Sequence, residues 1–358
     1  MSDAIARRRL RRQLLTTAGR RTPEDVVSWL GAVQAQEYEP AKWALALRMH
    51  GRASAQDVER AIDEGRILRT HVMRPTWHFV AAADIRWLLA LTAPRVQRRM
   101  APYNAQLGLD AKALVRALRV IERALGDGRV LTRSGLGERL RRSGLPMTSM
   151  HLAHVVMHAE LENLVCSGPR QGKQFTYALL GDRVRNVPPL APDEALATLA
   201  RRFFRSHGPA TIRDFVWWSG LSTPEAKRAV AIIGARGEDV GGLTYWSCDR
   251  EPREPQHEHL AHLLPIYDEY LVAYRDRTAV PHGPATTGTN VKRWTTYAHA
   301  LVIAGQVAGT WKPARQTDGV VLEVAPLRRL ASPERVALDL VRRRYEQFAG
   351  TPVRLDIR

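Results

Sequence analysis

Leu164-Val165-Cys166-Ser167-Gly168-Pro169-Arg170-Gln171-Gly172-Lys173-Gln174-Phe175-Thr176-Tyr177-Ala178 reads as two short strands around a Gly/Pro/Lys turn. Ahead of it, residues 135–143 and 148–161 read as helices, opened by Leu131-Thr132-Arg133-Ser134. A hairpin that follows a helix-turn-helix is the layout of a winged helix. The same order occurs upstream and downstream. Residues 23–33, 41–49 and 55–64 read as helices, followed by strands at 67–72 and 76–80 joined through Met73-Arg74-Pro75. Residues 212–219 and 223–233 read as helices about Gly220-Leu221-Ser222, with 240–246 as a wing.

The span 83–125 is mostly helical, with a first helix near 83–93 ending at Pro94. Pro-rich stretches at 188–192 and 251–255 read as linkers. Beyond residue 256 the pattern changes to strand-like runs at 263–272, 300–307 and 319–326, closed by an amphipathic helix at 333–348. The expected fold is α+β: three tandem winged-helix units followed by a β-rich C-terminal domain. The expected boundaries are 1–125 (with a helical extension), 126–190, 191–252 and 253–358.

The chain has 358 residues and a formal net charge of +18. That excess points to a polyanionic partner, most simply nucleic acid, whose phosphates Lys and Arg neutralise. An Arg-rich composition inherited from a GC-rich genome is the competing explanation, since the charge is spread along the chain. No apolar run of about 18 residues occurs, so no transmembrane helix is expected. The basic N-terminus lacks an apolar stretch and a cleavage site, which argues against a secretory signal and for a cytoplasmic protein. Cys166 and Cys248 are expected to be reduced thiols.

Gln34 and Gln36 stand at i and i+2 in Trp29-Leu30-Gly31-Ala32-Val33-Gln34-Ala35-Gln36-Glu37-Tyr38-Glu39-Pro40. On a regular helix such a pair diverges by roughly 200°; the two share a side only where the backbone is extended or turning. Pro40 favours the start of a new helix. The pair is therefore expected in a turn between two helices, where both amides converge on one target. Glu37 and Glu39 read as solvated turn charge rather than a general base.

Four ordered stretches carry a resemblance: 31–36, 69–78, 263–271 and Gly309-Thr310-Trp311-Lys312. Together they resemble the winged-helix DNA glycosylases of the AlkZ/YcaQ type, over nearly the whole chain. The resemblance implies three winged helices and a β-domain arranged around duplex DNA. It also implies hydrolytic release of N7-alkylated purines, including unhooking of interstrand crosslinks. The family signature is QxQ in one branch and QxD in another. Gln34 and Gln36 match the first, the branch associated with self-resistance to genotoxic natural products.

These residues suit that chemistry. An N7-alkylguanine is cationic and already a good leaving group, so the site mainly needs to hold water and stabilise oxocarbenium-like charge. Each glutamine offers a carbonyl acceptor and two N–H donors. No lysine suited to Schiff-base attack lies in the motif, Lys42 falling on the next helix, so a monofunctional enzyme is expected. Neither a metal nor an organic cofactor is called for. The rival is a non-catalytic winged-helix DNA-binding protein or transcriptional regulator.

The remaining candidates are contacts to DNA. Arg69, His71, Arg74, Thr76 and His78 surround a strand connection expected to enter the minor groove. Trp77 and Phe79 are expected in the core. Arg170 and Lys173 on the second wing are expected at phosphates. Tyr267 and Asp268 are read as site support, with Asp268 in a structural ion pair to Arg275 or Arg277 or orienting groups near the DNA. His151, His154 and His158 share a helix face, and His257, His259 and His262 cluster with Glu258; neither set has a convincing metal-ligand pattern. The expected partner is double-stranded DNA carrying alkylated purines, bound by a monomer.

Overall fold

A computed structural model describes residues 2–16, 19–51, 53–185, 188–249, 261–280 and 298–358. The expected linker at 251–255 and the residues His257, Glu258 and His259 lie outside this set.

The basic helix α1 (Ser2–Arg12) precedes the first unit. Helix α2 (Pro23–Leu30) starts where Thr22 accepts from the Asp25 N–H and Pro23 takes the first turn. It ends at Gly31, φ +89°, short of the expected position 33. A two-residue strand follows, β1 (Val33–Gln34), too short for any periodicity to reveal. Helix α3 (Tyr38–Ala46) begins three residues ahead of expectation, and α4 (Ala55–Asp63) is opened by a Ser54/Asp57 capping box. Strands β2 (Ile67–Val72) and β3 (Arg74–Ala81) complete an antiparallel sheet in the order β1-β3-β2. The hairpin turns at Met73 alone, φ +61°, so Arg74 and Pro75 belong to β3 rather than to the connection.

Helix α5 (Ile85–Gln106) does not stop at Pro94; it carries both Pro94 and Pro102. A helix-interior proline costs about 3 kcal/mol. Burial of Thr92, Ala93 and Val96 on either side of Pro94 offsets it.

Helix α6 (Ala111–Leu125) shares a separate core with the second unit, where Ile121 and Leu125 meet Leu136, Leu140 and Val155. Helix α6, which ends at the expected boundary of 125, thus packs with the residues that follow it. The unit continues through β4 (Leu131–Thr132), α7 (Arg133–Arg142), α8 (Ser149–Leu161), β5 (Val165–Ser167) and β6 (Thr176–Leu179), with sheet order β4-β6-β5. A single turn, α9 (Leu180–Arg183), leads to α10 (Pro192–Ser206). The third unit adds α11 (Ile212–Ser219), α12 (Thr223–Ile233) and a wing of β7 (Arg236–Val240) and β8 (Leu243–Ser247).

The C-terminal region differs from expectation at its start. Residues 263–272 are not one strand but β9 (Ala261–Leu264), a turn, and the short helix α13 (Glu269–Val272). Strands β10 (His299–Ile303), β11 (Gln306–Gln316) and β12 (Gly319–Pro326) follow, then α14 (Ser332–Ala349) and β13 (Val353–Ile357). The sheet order is β13-β12-β11-β10-β9, with β13 parallel to β12 and the other pairs antiparallel. The expected helix is present; the strand after it was not expected.

Two larger cores bind the units together. One joins α2–α4 to the C-terminal sheet through residues such as Trp43, Leu263, Leu301 and Phe348. The other joins the β2–β3 hairpin and α5 to the third unit through Met73, Leu88, Phe203 and Trp218.

Candidate active site

Gln34 and Gln36 lie where the two larger cores meet. Gln34 pairs with His78 across β1 and β3. Its N–H donates to Glu269 Oε1 at 2.8 Å, and the Ala35 N–H donates to the Trp77 carbonyl at 2.7 Å. From the other side Arg69 donates through Nε to the Ala35 carbonyl (2.9 Å) and through Nη2 to the Gln36 carbonyl (3.3 Å). The motif backbone thus leaves strand β1 at Gln34, bends at Gln36 and is held at each residue, a non-helical course in which i and i+2 side chains can share a direction.

Both side chains border one cleft of about 570 Å³. Its hairpin wall is Met73, Arg74, Pro75 and Thr76. Helix α5 contributes Arg95, Val96 and Arg99; the third unit contributes Trp217 and Gly220; the C-terminal domain contributes Tyr267, Val272 and Arg277. A larger cavity, about 680 Å³, opens over the second unit beside Trp77, Arg133 and Lys173, and neither glutamine borders it.

The amide of Gln34 has a defined orientation. Arg74 Nη2 donates to Gln34 Oε1 at 3.1 Å, and a guanidinium has no acceptor, so the atom it meets is the amide oxygen. His78 is wholly buried behind this contact. Its Nδ1–H donates to the Thr76 carbonyl at 2.9 Å, which leaves Nε2 unprotonated and facing Arg74 at 3.5 Å. Burial, and then the Arg74 charge, pull the imidazole down to about 3, so it is neutral at physiological pH. Gln36 is exposed, whereas Gln34 is only 9% exposed. Thr76 Oγ1 and Arg74 Nε are buried without a hydrogen-bond partner among the described residues, an open polar capacity at the cleft wall.

Several expected DNA contacts turn inward. Arg69 is buried, stacked over Trp77 at 4.4 Å and Phe175 at 4.7 Å, and its donors serve the motif backbone. His71 is buried against the Glu160 carboxylate, to which both its backbone N–H and Nδ1 are joined. Arg170 lies 3.4 Å from both Glu39 and Glu59 and covers Tyr38, so its charge is answered internally. Lys173 is exposed at the wing tip. Phe79 is in the core, while Trp77 is half-buried. Lys42 is buried between Glu39 and Glu59 at 2.8 Å from each.

Asp268 does form a structural ion pair, but with Arg48 rather than Arg275 or Arg277. The pairing is bidentate, at 2.7 and 2.8 Å, and Arg48 also donates to Gln13. The same carboxylate accepts from the Tyr270 N–H and so caps α13. It follows Tyr267, φ +61°, an unusual conformation for a bulky side chain, which sits on the cleft wall.

The three histidines of α8 pack at its edge. His151 contacts the Leu107 carbonyl at 3.0 Å, His154 the Asn104 amide at 2.7 Å, and His158 lies 4.0 Å from Glu162. No group of three or more metal-ligating residues is found among the described residues.

A family model of AlkZ-like DNA glycosylases matches residues 27–348. The chain belongs to that family. It is similar to an interstrand DNA cross-link repair glycosylase of Streptomyces sahachiroi, 24% identical over 328 residues, with 85% of each chain covered. Its fold matches the solved Streptomyces sahachiroi DNA glycosylase AlkZ with a TM-score of 0.76, at 22% identity over 99% of this chain and 98% of that one. The glycosylase has no described helix long and apolar enough to cross a membrane.

One residue of the glycosylase's site is not singled out by its sequence. Glu269 is fully buried, with Oε1 on the Gln34 N–H and Oε2 accepting from Trp218 Nε1 at 3.0 Å and facing His207 at 3.5 Å. It carries the same signal as Asp268, an acid inside an apolar run, and sequence alone does not separate their roles.

Proposed function

We propose that this chain is a monofunctional DNA glycosylase that hydrolyses the N-glycosidic bond of N7-alkylated purines in duplex DNA, crosslinked lesions included. The observation that carries the proposal is the QxQ pair at a cleft bounded by hairpin, α5, third unit and C-terminal domain, with Gln34 oriented by Arg74. The role of the Streptomyces sahachiroi relative, interstrand cross-link repair, supports the crosslink part of the reading.

In this mechanism the cationic base leaves without a strong general acid, and the protein places water and steadies the sugar's developing charge. Arg74 occupies Gln34 Oε1, so the freer acceptor for the attacking water is the side-chain oxygen Gln36 Oε1. Gln34 presents its amide group to the reacting nucleotide. Arg74 and Thr76 contact DNA from the hairpin and Lys173 meets phosphate from the second wing, while Arg69, His71 and His78 act by holding the motif and the hairpin. The enzyme works as a monomer in the cytoplasm, at the nucleoid.

Single-turnover base release from duplex DNA bearing an N7-alkylguanine, scored as alkali-labile sites, tests this reading. Wild type is expected to release the base, and Gln34→Ala/Gln36→Ala to bind the duplex without release. Absence of release by wild type from both an N7-methyl lesion and a crosslink, with DNA binding intact, would transfer the assignment to a non-catalytic DNA-binding protein.

A further inference from the structure

The proposed substrate presents an electrostatic difficulty. An N7-alkylated purine is a cation, and four arginines border the cleft: Arg74, Arg95, Arg99 and Arg277. Arg74 is the most intimate of these, because it touches Gln34 itself. It is also largely shielded from water, so its field reaches the cleft with little screening.

Arg95 and Arg74 each have a carboxylate nearby. Arg95 is ion-paired with Glu225 at the third unit. Arg74 is opposed by Glu269, which reaches the same glutamine from the side away from the cleft. Gln34 therefore sits between a cation on its side chain and an anion on its backbone N–H. Glu269 also holds Trp218 Nε1 and faces His207, so its position is fixed by three separate elements: β1, α11 and the end of α10.

We propose that Glu269 is a specificity-determining positioning residue. Its buried charge cancels Arg74 beside the glutamine pair and so allows a cleft walled with arginines to accept a cationic base. This rests on the reading of the substrate as an N7-alkylated purine. Glu269 acts through Gln34 and Arg74 and touches no substrate atom.

The state of the carboxyl agrees with this role. Burial alone would raise its pKa, but His207, the Gln34 N–H and Arg74 outweigh burial and hold it below the usual carboxylate range. It is ionised at neutral pH. Both carboxylate oxygens accept from N–H groups, Oε1 from Gln34 and Oε2 from Trp218, an arrangement that favours the charged form.

The charge is tested by comparing two lesion mimics of one shape. One duplex carries 2′-fluoro N7-methylguanine, cationic and resistant to cleavage. The other carries 7-deaza-7-methylguanine, which is neutral. The readout is the ratio of their dissociation constants. Relative to wild type, Glu269→Gln is expected to move the ratio against the cation on the order of tenfold, as one unscreened charge in a partly desolvated site does. Arg74→Gln alone, with Glu269 left in place, is expected to move it towards the cation by a similar factor. The double variant is expected to return within about twofold of wild type.

An unchanged ratio in either single variant, or a double variant that stays as displaced as Glu269→Gln, overturns the proposal. Arg74→Gln removes the opposite charge of the pair and leaves Glu269 untouched, which keeps the test decisive should Glu269→Gln fail to fold. Base release by wild type from an ordinary N7-methylguanine duplex is measured alongside. Failure of that release refutes the functional reading, while the binding ratios still report separately on the Glu269–Arg74 pair.

Discussion

Neither Gln34 nor Gln36 titrates, and the nearest histidine is held neutral with its pKa at about 3. The single-turnover rate of base release is therefore expected to stay flat between about pH 5.5 and 8.5; a limb with a pKa in that window would reveal a general base and contradict the water-positioning role of the amides. The same histidine links pH to stability. Its folded pKa lies below the unfolded value of 6.5, so the unfolded chain binds the extra proton between the two. Stability is full above pH 6.5 and falls as the pH drops towards 3, by about 2 kcal/mol on going from pH 7 to pH 5. His299, pulled down to about 4 by burial, adds a loss of the same sign. Urea unfolding of wild type and His78→Gln at pH 7 and pH 5 isolates the His78 share, and equal losses in both proteins would contradict it. At this scale the sequence was legible in part. A QxQ spacing is readable as two amides sharing a direction. That Arg69 serves two carbonyls of the motif instead of phosphate is not, because an arginine's partners are set by packing between segments over 30 residues apart.

The β2–β3 hairpin shows why element-level reading succeeds at centres and fails at edges. Strand β2 lies at the expected 67–72, but the turn is tighter than Met73-Arg74-Pro75 suggests. Met73 takes φ +61° because its N–H is held by Thr92 Oγ1 at 3.1 Å and its carbonyl is pressed against Gly220. A Cβ on Gly220 would stand 2.3 Å from the Met73 carbonyl oxygen, at φ +72°. Gly220→Ala is thus expected to destabilise the protein by about 2 kcal/mol or more, combining left-handed strain with a backbone clash. It should also slow base release below the melting temperature, since the displaced tip carries Arg74 away from Gln34. A thermal melt paired with single-turnover release measures both effects; an unshifted melt would show that the third unit does not clamp the hairpin. Similar long-range packing carries α5 through Pro94, whereas proline read in isolation ends a helix. The two-residue β1 offers no periodic signal, and β13 exists because β12 pairs with it, so neither is visible in local sequence.

Across the whole molecule, winged-helix repeats can be read from three similar patterns, but their fusion into two shared cores cannot. The Asp268–Arg48 pair lies at the centre of that fusion. Arg48 follows α3, Asp268 opens α13, and Gln13 ties the N-terminal segment to the same guanidinium. Neighbouring links run the same way: Trp43 Nε1 donates to the Leu263 carbonyl at 2.8 Å, and Arg344 donates to the Ala46 and Met49 carbonyls at 2.9 and 2.7 Å. Removing the Asp268 charge leaves Arg48 buried and unbalanced, a loss that commonly costs about 3–5 kcal/mol. Asp268→Asn is accordingly expected to lower unfolding stability on that scale. The form of the loss tests the architecture as well as its size. The first unit and the C-terminal sheet share one hydrophobic core, so the variant should unfold them in one transition at lower urea. Because Asp268 borders Tyr267 and Glu269, base release should weaken in step with the unfolded fraction rather than before it. A second, earlier transition confined to the C-terminal sheet would mean that this domain is docked on the winged helices rather than folded with them. The cleft between them would then owe its shape to an interface instead of a continuous core.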